Sequence, residues 1–187
     1  TRPVGLLEAF LVAPDAAQHR RPRLVEDEVT RDVFAVVGLR IELVAVVVDA
    51  TLREFDLIGW PKTSGKRGLH VLVRVEQRWT HDEVRRAALA LAREVERRVP
   101  ALATSKWWKE ERHGVFIDYN QNAKDRTVAG AYSIRPTPDA RVSAPLDWSE
   151  VPDADPAEFT LVSMQKRYAR IGDRHRDIDA RACSLDS

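Results

Sequence analysis

The sequence is poor in cysteine, in lysine and in long apolar runs, and each shortage excludes a class of protein. Cys183 is the one cysteine among 187 residues, which excludes an internal disulfide framework and a four-cysteine zinc site. The longest aliphatic run, residues 43–48, is far shorter than the roughly 20 residues that a membrane span needs. Residues 1–20 show no signal-peptide pattern. We therefore expect a soluble, cytoplasmic protein with no membrane partner.

The charges are almost balanced, with 30 basic and 29 acidic side chains and a formal net charge of +1. An anionic partner must therefore be bound by a local basic surface, because the whole chain provides no strong field. Only 6 of the 30 basic residues are lysines, and the arginines that remain suit bidentate contacts with phosphate or carboxylate. The length predicts a single domain over residues 1–187.

The N-terminal part, residues 1–40, shows no clear hydrophobic period, and the next segment gives conflicting signals. Residues 39–43 alternate between apolar and polar, which predicts a strand, whereas residues 44–55 have the spacing of a helix. No turn residues separate them, although connections usually take about 4–6 residues. Either a loop is omitted at the junction of Leu43 and Val44, or one of the two predictions is wrong.

The middle of the chain gives clearer signals. Residues 61–68 form a polar, glycine-containing loop, and residues 69–75 alternate as a strand with His70 and Arg74 on its polar face. Thr80 and Glu83 form a capping box before a predicted helix over residues 81–99, which Pro100 ends. Further along, we predict strands over residues 115–119 and 129–135 and a helix over residues 156–170.

Two features of these segments suggest chemistry. The loop from Lys62 to Gly68 carries hydroxyls, backbone N–H groups and three cations, which suits a polyphosphate, although it lacks the Walker A spacing. The alternative is a solvated basic turn. Asp118, on an apolar strand, must be hydrogen-bonded, paired or metal-bound if it is buried. The alternative is that it lies on a solvated sheet face.

Several motifs together resemble one known family. Residues 61–70, 116–122 and 127–135, followed by residues 145–148 and 172–173, are similar to the archaeo-eukaryotic primase superfamily. Within it, the similarity is strongest to the polymerase domain of bacterial DNA ligase D and to stand-alone end-joining primase-polymerases, and it covers about residues 57–173. The resemblance implies an α+β fold with an RRM-like catalytic core, a mostly antiparallel sheet and flanking helices.

The resemblance also implies roles for individual residues. His70 and Ser64 would contact the phosphates of the incoming nucleotide at the catalytic centre, and Asp118 would bind a catalytic Mn²⁺ or Mg²⁺ ion. The remaining implied nucleotide-site residues are Lys62, Arg67, Gln121, Asn122 and Arg135. Metal ions and cations of this kind stabilise the charge that develops in phosphoryl transfer.

The first motif departs from the family pattern, in which a strand carries Asp-x-Asp followed by proline and glycine. Placed on residues 39–43, the pattern makes Glu42 the first metal-binding acid and puts Val44, which cannot bind metal, at the second position. A loop omitted after Leu43 would explain the departure. The alternative is a catalytically degenerate relative that binds DNA ends or nucleotides without extending them.

We therefore expect a metal-dependent, template-directed nucleotidyltransferase that fills short gaps or extends DNA ends in non-homologous end joining, with a preference for ribonucleotides. A nucleotide-binding phosphohydrolase is a further alternative. The expected partners are DNA, nucleoside triphosphates, a DNA ligase and an end-binding protein. Arg20, Arg21 or Arg23 could contact a 5′-phosphate or be solvated. Trp107 and Trp108 could stack on bases, although we favour one packed in the core and one covering an edge.

Overall fold

The computed structural model describes residues 4–12 and 28–186. In chain order its strands and α-helices are β1 (Val4–Val12), α1 (Glu28–Glu54), β2 (Gly59–Thr63), β3 (Leu69–Trp79), α2 (His81–Arg98), β4 (Ala103–Thr104), β5 (Val115–Asp118) and α3 (Leu161–Ile171). Short 3₁₀ helices lie at Lys109–Glu111, Asn120–Asn122, Trp148–Asp153 and Pro156–Glu158. None of the helices in this part of the chain is long and apolar enough to cross a membrane.

The five strands form one mixed sheet in the order β2-β3-β1-β5-β4. The pairs β2/β3, β3/β1 and β1/β5 are antiparallel, and β5/β4 is parallel. The first strand of the chain is therefore the central strand of the sheet. The predicted α+β fold with a mostly antiparallel sheet is confirmed.

One face of the sheet packs against α1 and α2. Alternate residues of the strands, such as Leu7, Leu11 and Val73, are buried there because successive strand side chains point to opposite faces. The helices contribute stripes at helical spacing, and these stripes comprise Val44, Val48 and Leu52 of α1 with Val84, Leu91 and Val95 of α2. The opposite face of the sheet is thereby left for polar side chains.

The second helix begins where the capping box predicts. The Thr80 backbone N–H donates to the Glu83 carboxylate at 2.7 Å, and the Glu83 backbone N–H donates to the Thr80 hydroxyl at 3.4 Å. Two N–H groups that the helix itself cannot satisfy are thus paired. The helix ends at Arg98, and β3 extends to Trp79, four residues beyond its predicted end.

The strand predicted over residues 39–43 is wrong, because these residues belong to α1. Val44, Ala45, Val48 and Leu52 are all fully buried at helical spacing, so tertiary burial of this stripe outweighs a short alternation. The helix passes through Leu43 and Val44 without a break. Of the two alternatives at this junction, the structure supports a wrong strand prediction.

Two predictions near the C-terminus also need correction. Residues 129–135 form turns rather than a strand, with Tyr132 at φ 63° and a single bridge between Ile134 and Val142. The last helix begins at Leu161 rather than at Pro156, because Thr160 caps it and a separate 3₁₀ turn occupies Pro156–Glu158. Residues 144–146, which lie between these two segments in the chain, run beside β2: the Thr63 N–H donates to the Ala144 carbonyl, and the Leu146 N–H donates to the Pro61 carbonyl.

Candidate functional site

Three predicted site residues, from β2, β3 and β5, line up with position 10 of β1 across the face opposite the helices. Lys62 of β2 pairs with His70 of β3, His70 pairs with position 10 of β1, and position 10 pairs with Asp118 of β5. Residues that pair directly across antiparallel strands share a face. The sheet therefore brings Lys62, His70 and Asp118 into one row, with position 10 between the last two.

Lys62, on the edge strand β2, is a cation on this face with only 1% of its surface exposed. Its Nζ donates to the Ser143 hydroxyl at 2.8 Å and to the Ala129 carbonyl at 2.8 Å, and it lies 3.1 Å from His70 Nδ1. All three contacts are with uncharged groups. Among the described residues, no carboxylate is in direct contact with the lysine.

Burial and neighbouring cations shift the pKa values of both residues. Desolvation lowers the pKa of Lys62 to about 8; Arg135 adds to this shift and Glu8 opposes it. Desolvation, with Lys62 and Arg135, lowers the pKa of His70 to about 3. His70 is therefore neutral at pH 7, accepts from Lys62 at Nδ1 and carries its hydrogen on Nε2, from which it can donate.

The loop after β2 is built around Ser64. The Ser64 hydroxyl accepts from the backbone N–H groups of Lys66 (3.1 Å) and Gly68 (3.0 Å), which closes a tight turn. Gly65 has φ 69°, and a Cβ there would lie 2.4 Å from Arg135 Cγ. Glycine is needed at this position both for the backbone conformation and for the approach of Arg135.

Arg135 completes the cationic side of the site. It is placed by the turn of residues 135–141, in which its backbone N–H donates to the Arg141 carbonyl at 2.7 Å. Its Nε is buried and has no hydrogen-bonding partner within the described residues. A buried donor without a partner is costly, so an anionic ligand that accepts from Arg135 would be stabilised here.

Asp118 lies at the other end of the row and is buried. Its carboxylate accepts from the Asn120 backbone N–H at 2.8 Å and from the Gln121 side chain at 2.9 Å. Each oxygen therefore has one partner and a further lone pair for a ligand. The predicted neighbour Gln121 thus contacts the acid directly and fixes its orientation.

Glu8 is a site residue that the sequence analysis missed. It lies on β1 two residues before position 10, and so on the same face as the row. Its Oε2 is buried with no hydrogen-bonding partner among the described residues, and burial raises the pKa of the carboxyl to about 7, while Lys62 opposes the shift. β1 has apolar residues on both of its faces, so its sequence shows no alternation of polar and apolar residues. The one signal that could have pointed to Glu8 is an acid inside an apolar run.

Asn122 positions the backbone of Glu8. Its side-chain oxygen accepts from the Glu8 N–H at 2.7 Å, and its side-chain nitrogen donates to the Glu8 carbonyl at 2.7 Å. The amide continues the hydrogen-bonding ladder of β5 beyond the end of that strand. The predicted site residue Asn122 is therefore placed against β1.

Glu42 and Arg67 are not brought together with Asp118. Both line a pocket between α1 and the end of β2, together with Thr63, Leu69 and Val151. Burial and Asp153 raise the pKa of Glu42. Glu42 is on a helix that covers the other face of the sheet, so the placement gives no support to its predicted metal-binding role.

The described residues contain no group of three or more His, Cys, Asp or Glu side chains arranged to hold a metal ion. Position 10, between His70 and Asp118 in register, is a phenylalanine. Glu8 and Asp118 are both carboxylates on this face, and the Glu8 oxygen that has no partner among the described residues leaves capacity for a cation. Arg20, Arg21 and Arg23 lie outside the described residues.

Comparisons with known proteins point to one family. Residues 39–175 match the family described as LigD, primase-polymerase domain. The chain is 33% identical over 144 residues to the multifunctional non-homologous end joining DNA repair protein LigD of Mycobacterium tuberculosis, covering 76% of this chain and 19% of that protein. It is 30% identical over 124 residues to the bifunctional LigD of Bacillus subtilis, covering 65% of this chain and 20% of that protein. The chain thus spans about a fifth of these relatives.

The solved polymerase domain of Mycobacterium tuberculosis ligase D in complex with DNA is similar in fold. The TM-score is 0.76 at 29% sequence identity, covering 97% of this chain and 57% of that chain. The similarity therefore extends beyond the family match into the N-terminal part that the sequence motifs do not cover.

Proposed function

Because the chain belongs to the family of LigD primase-polymerase domains, we propose that it is a DNA-directed nucleotidyltransferase of end-joining repair that fills short gaps or extends DNA ends. In this reaction the primer 3′-oxygen forms a bond to the α-phosphorus of a nucleoside triphosphate. The bond from that phosphorus to the bridging oxygen breaks, and pyrophosphate leaves.

The observation that carries the proposal is the cluster of two cations, Lys62 and Arg135, around the neutral His70, in which Lys62 and His70 are buried. Lys62 makes no direct contact with a carboxylate, and Arg135 Nε has no partner among the described residues. A triphosphate would supply the missing acceptors and the missing negative charge. In our proposal Lys62 and Arg135 neutralise charge on the leaving pyrophosphate while His70 donates to a phosphate oxygen. The hydroxyl hydrogen of Ser64 is a further donor at the loop.

A divalent ion, Mn²⁺ or Mg²⁺, is part of the proposal, and Asp118 and Glu8 are the residues that would hold it. Magnesium is commonly held by one or two carboxylates together with substrate phosphates, so this pair fits one ion bound with the nucleotide. The ion would supply charge stabilisation during transfer. A preference for ribonucleotides is proposed from the family resemblance alone.

The test is extension of a gapped DNA duplex with ribonucleotides and deoxyribonucleotides in parallel, with Mn²⁺ or Mg²⁺. We expect extension to disappear in Asp118→Ala and to persist in Glu158→Ala, which removes an exposed acid away from the row. Pyrophosphate release should require both primer and template. Release without DNA would instead support a phosphohydrolase.

A second candidate function is a DNA-end or nucleotide-binding module without transfer activity. The phenylalanine at position 10 favours it. In the family pattern the first motif is Asp-x-Asp, and the central strand here carries Glu8, Ala9 and Phe10. On this alignment Glu8 takes the first acid position and phenylalanine the second. The site would then bind a nucleotide but lack a second metal-binding acid.

Phe10→Asp separates the two candidates. If the wild-type protein binds nucleotide without extending DNA and Phe10→Asp extends it, the chain is a degenerate relative. If the wild-type protein already extends DNA, the acids present are sufficient. The far-UV circular dichroism of the variant should match the wild type, so that a folding defect is recognised.

A further inference from the structure

Four residues at the β4 side of the sheet form a cluster that the proposed chemistry does not use. We call Trp107, Trp108, Arg112 and Phe116 the aromatic patch. Trp107 and Trp108 are 42% and 65% exposed, while Phe116 is buried and contacts Trp107. Neither tryptophan is packed in the core, so our preferred interpretation from the sequence is wrong. Exposed tryptophans that are neighbours in the chain commonly mark a binding surface.

Arg112 holds the aromatic patch in a defined arrangement. Its guanidinium carbon lies 3.5 Å from the centre of the Phe116 ring and 5.9 Å from that of Trp107. It donates to the carbonyls of Lys106 (3.1 Å) and Trp107 (2.6 Å). No ion pair of Arg112 occurs among the described residues. A cation stacked on rings and lacking a carboxylate partner favours an anionic or electron-rich ligand.

The aromatic patch is continuous with the row that contains Asp118. Phe116 precedes Asp118 by two residues on β5, so both lie on the same face about 7 Å apart. Trp107 contacts the edge of Phe116, with ring centres 6.4 Å apart. A ligand that extends from Asp118 along β5 therefore reaches Arg112 and Trp107, and Trp108 is the exposed neighbour of Trp107 in the chain.

We propose that the aromatic patch binds unpaired bases of single-stranded DNA, with Trp108 as the exposed stacking surface. Stacking suits this occupant because every base presents a flat π face, and aromatic side chains beside cations are the usual means of binding single strands. Residues 106–112 carry three cations and two carboxylates, a small positive excess suited to a phosphate backbone. The proposal rests on the proposed function, since it takes the Asp118 face to act on DNA.

The test compares two DNA probes by fluorescence anisotropy without nucleotide. One is a duplex with a single-stranded 5′ overhang, and the other is the same duplex with blunt ends. We expect Trp108→Ala to weaken overhang binding by about fivefold or more, as loss of one stacked base does, and to leave blunt-duplex binding within about twofold. Trp108→Phe should restore most of the affinity.

Phe55→Ala is the matched control, because Phe55 is as exposed as Trp107 and follows the end of α1, away from β5. Equal losses on both probes, or no loss in Trp108→Ala, would overturn the proposal. So would the same loss in Phe55→Ala.

Failure of this proposal is distinguishable from failure of the proposed function. Trp108-dependent overhang binding by a protein that never extends DNA would leave the aromatic patch assigned and reject transfer. If the wild-type protein extends DNA and Trp108→Ala has no effect on overhang binding, transfer is supported and the role of the aromatic patch is rejected. ATP affinity, measured by calorimetry, should be the same in Trp108→Ala and in wild type.

Discussion

At the scale of single residues, Lys62 makes this sheet face favourable for an anionic ligand. The lysine is buried, and its contacts are an imidazole nitrogen, a carbonyl and a hydroxyl. Arg135 adds a second positive charge nearby, and Glu8 is the acid that acts on Lys62 electrostatically. Burying like charges together is unfavourable in the free protein. A bound triphosphate would convert this repulsion into attraction.

The affinity for nucleotide should fall as the pH rises. A bound phosphate favours protonated Lys62, whose pKa is lowered to about 8, and protonated Glu8, whose pKa is raised to about 7. Both groups lose their proton as the pH increases, so we expect ATP affinity without divalent ions to drop by roughly tenfold between pH 7 and 9. Isothermal titration calorimetry at several pH values measures this ATP affinity. Lys62→Met should bind more weakly and with a flatter profile, and a flat wild-type profile would contradict the assignment.

Glu8 should destabilise the folded protein at neutral and higher pH. Its folded-state pKa of about 7 lies above the ordinary value of 4.5, so the free energy of unfolding decreases between those two pH values and stays reduced above them. We expect Glu8→Gln to increase the free energy of unfolding by on the order of 2 kcal/mol at pH 8 and much less at pH 5. Urea unfolding in the presence of EDTA measures the free energy of unfolding of both proteins at each pH. The exposed Glu158→Gln serves as the control, and an equal gain at both pH values would refute the interpretation.

At the scale of elements, the loop between β2 and β3 joins two parts of the site. Ser64 folds the loop through two backbone contacts, and Gly65 lets Arg135 approach. The loop therefore positions Arg135 as well as contributing its own donors. Gln121 and Asn122 act similarly on the 3₁₀ turn after β5, because they hold Asp118 and the backbone of Glu8.

Gly65→Ala should separate backbone strain from loss of the arginine. The new Cβ would meet Arg135 Cγ at 2.4 Å and the Ser143 backbone nitrogen at 3.2 Å, so Arg135 must move. We expect ATP affinity to fall by about tenfold and stability by about 1 kcal/mol. Gly172→Ala is the matched control, because Gly172 has φ 71° with no atom within 4 Å of the added Cβ. It should lose stability but keep its ATP affinity.

At the scale of the whole molecule, the helices and the sheet share one core, so the site depends on all of them. Leu52 of α1 and Gly59 of β2 are in close contact, since a Cβ on Gly59 would lie 2.8 Å from Leu52 Cδ1. Arg98 of α2 also pairs with Glu54 of α1 through two contacts of 2.7 Å. Loss of packing at α1 is therefore transmitted to the strand that carries Lys62.

Leu52→Ala should destabilise the whole fold in one transition. Leu52 is fully buried, and truncation of a buried leucine costs about 2–5 kcal/mol. Circular dichroism and tryptophan fluorescence should report the same lowered urea midpoint. Leu43→Ala, on the same helix but 47% exposed, should change the midpoint little. Two separate transitions would mean that α1 unfolds independently of the sheet.

The sequence by itself predicted those features whose signals are local or lie close together in the chain. The capping box at Thr80 and Glu83 predicts the start of α2, and the alternation from Leu69 predicts β3, because each depends on neighbouring residues. The motifs that contain Lys62, His70, Asp118 and Arg135 were recognisable for the same reason. Their family resemblance implied the fold class and the chemistry.

Only the tertiary structure decided which acid joins Asp118 on the functional face. Residues 39–43 alternate like a strand, yet burial of Val44, Val48 and Leu52 makes them part of a helix on the other side of the sheet. Glu8 lies more than one hundred residues from Asp118 in the chain, and strand pairing brings the two acids to one face. Non-local pairing and burial leave little trace in a short stretch of sequence, which is why Glu42 was predicted and Glu8 was not.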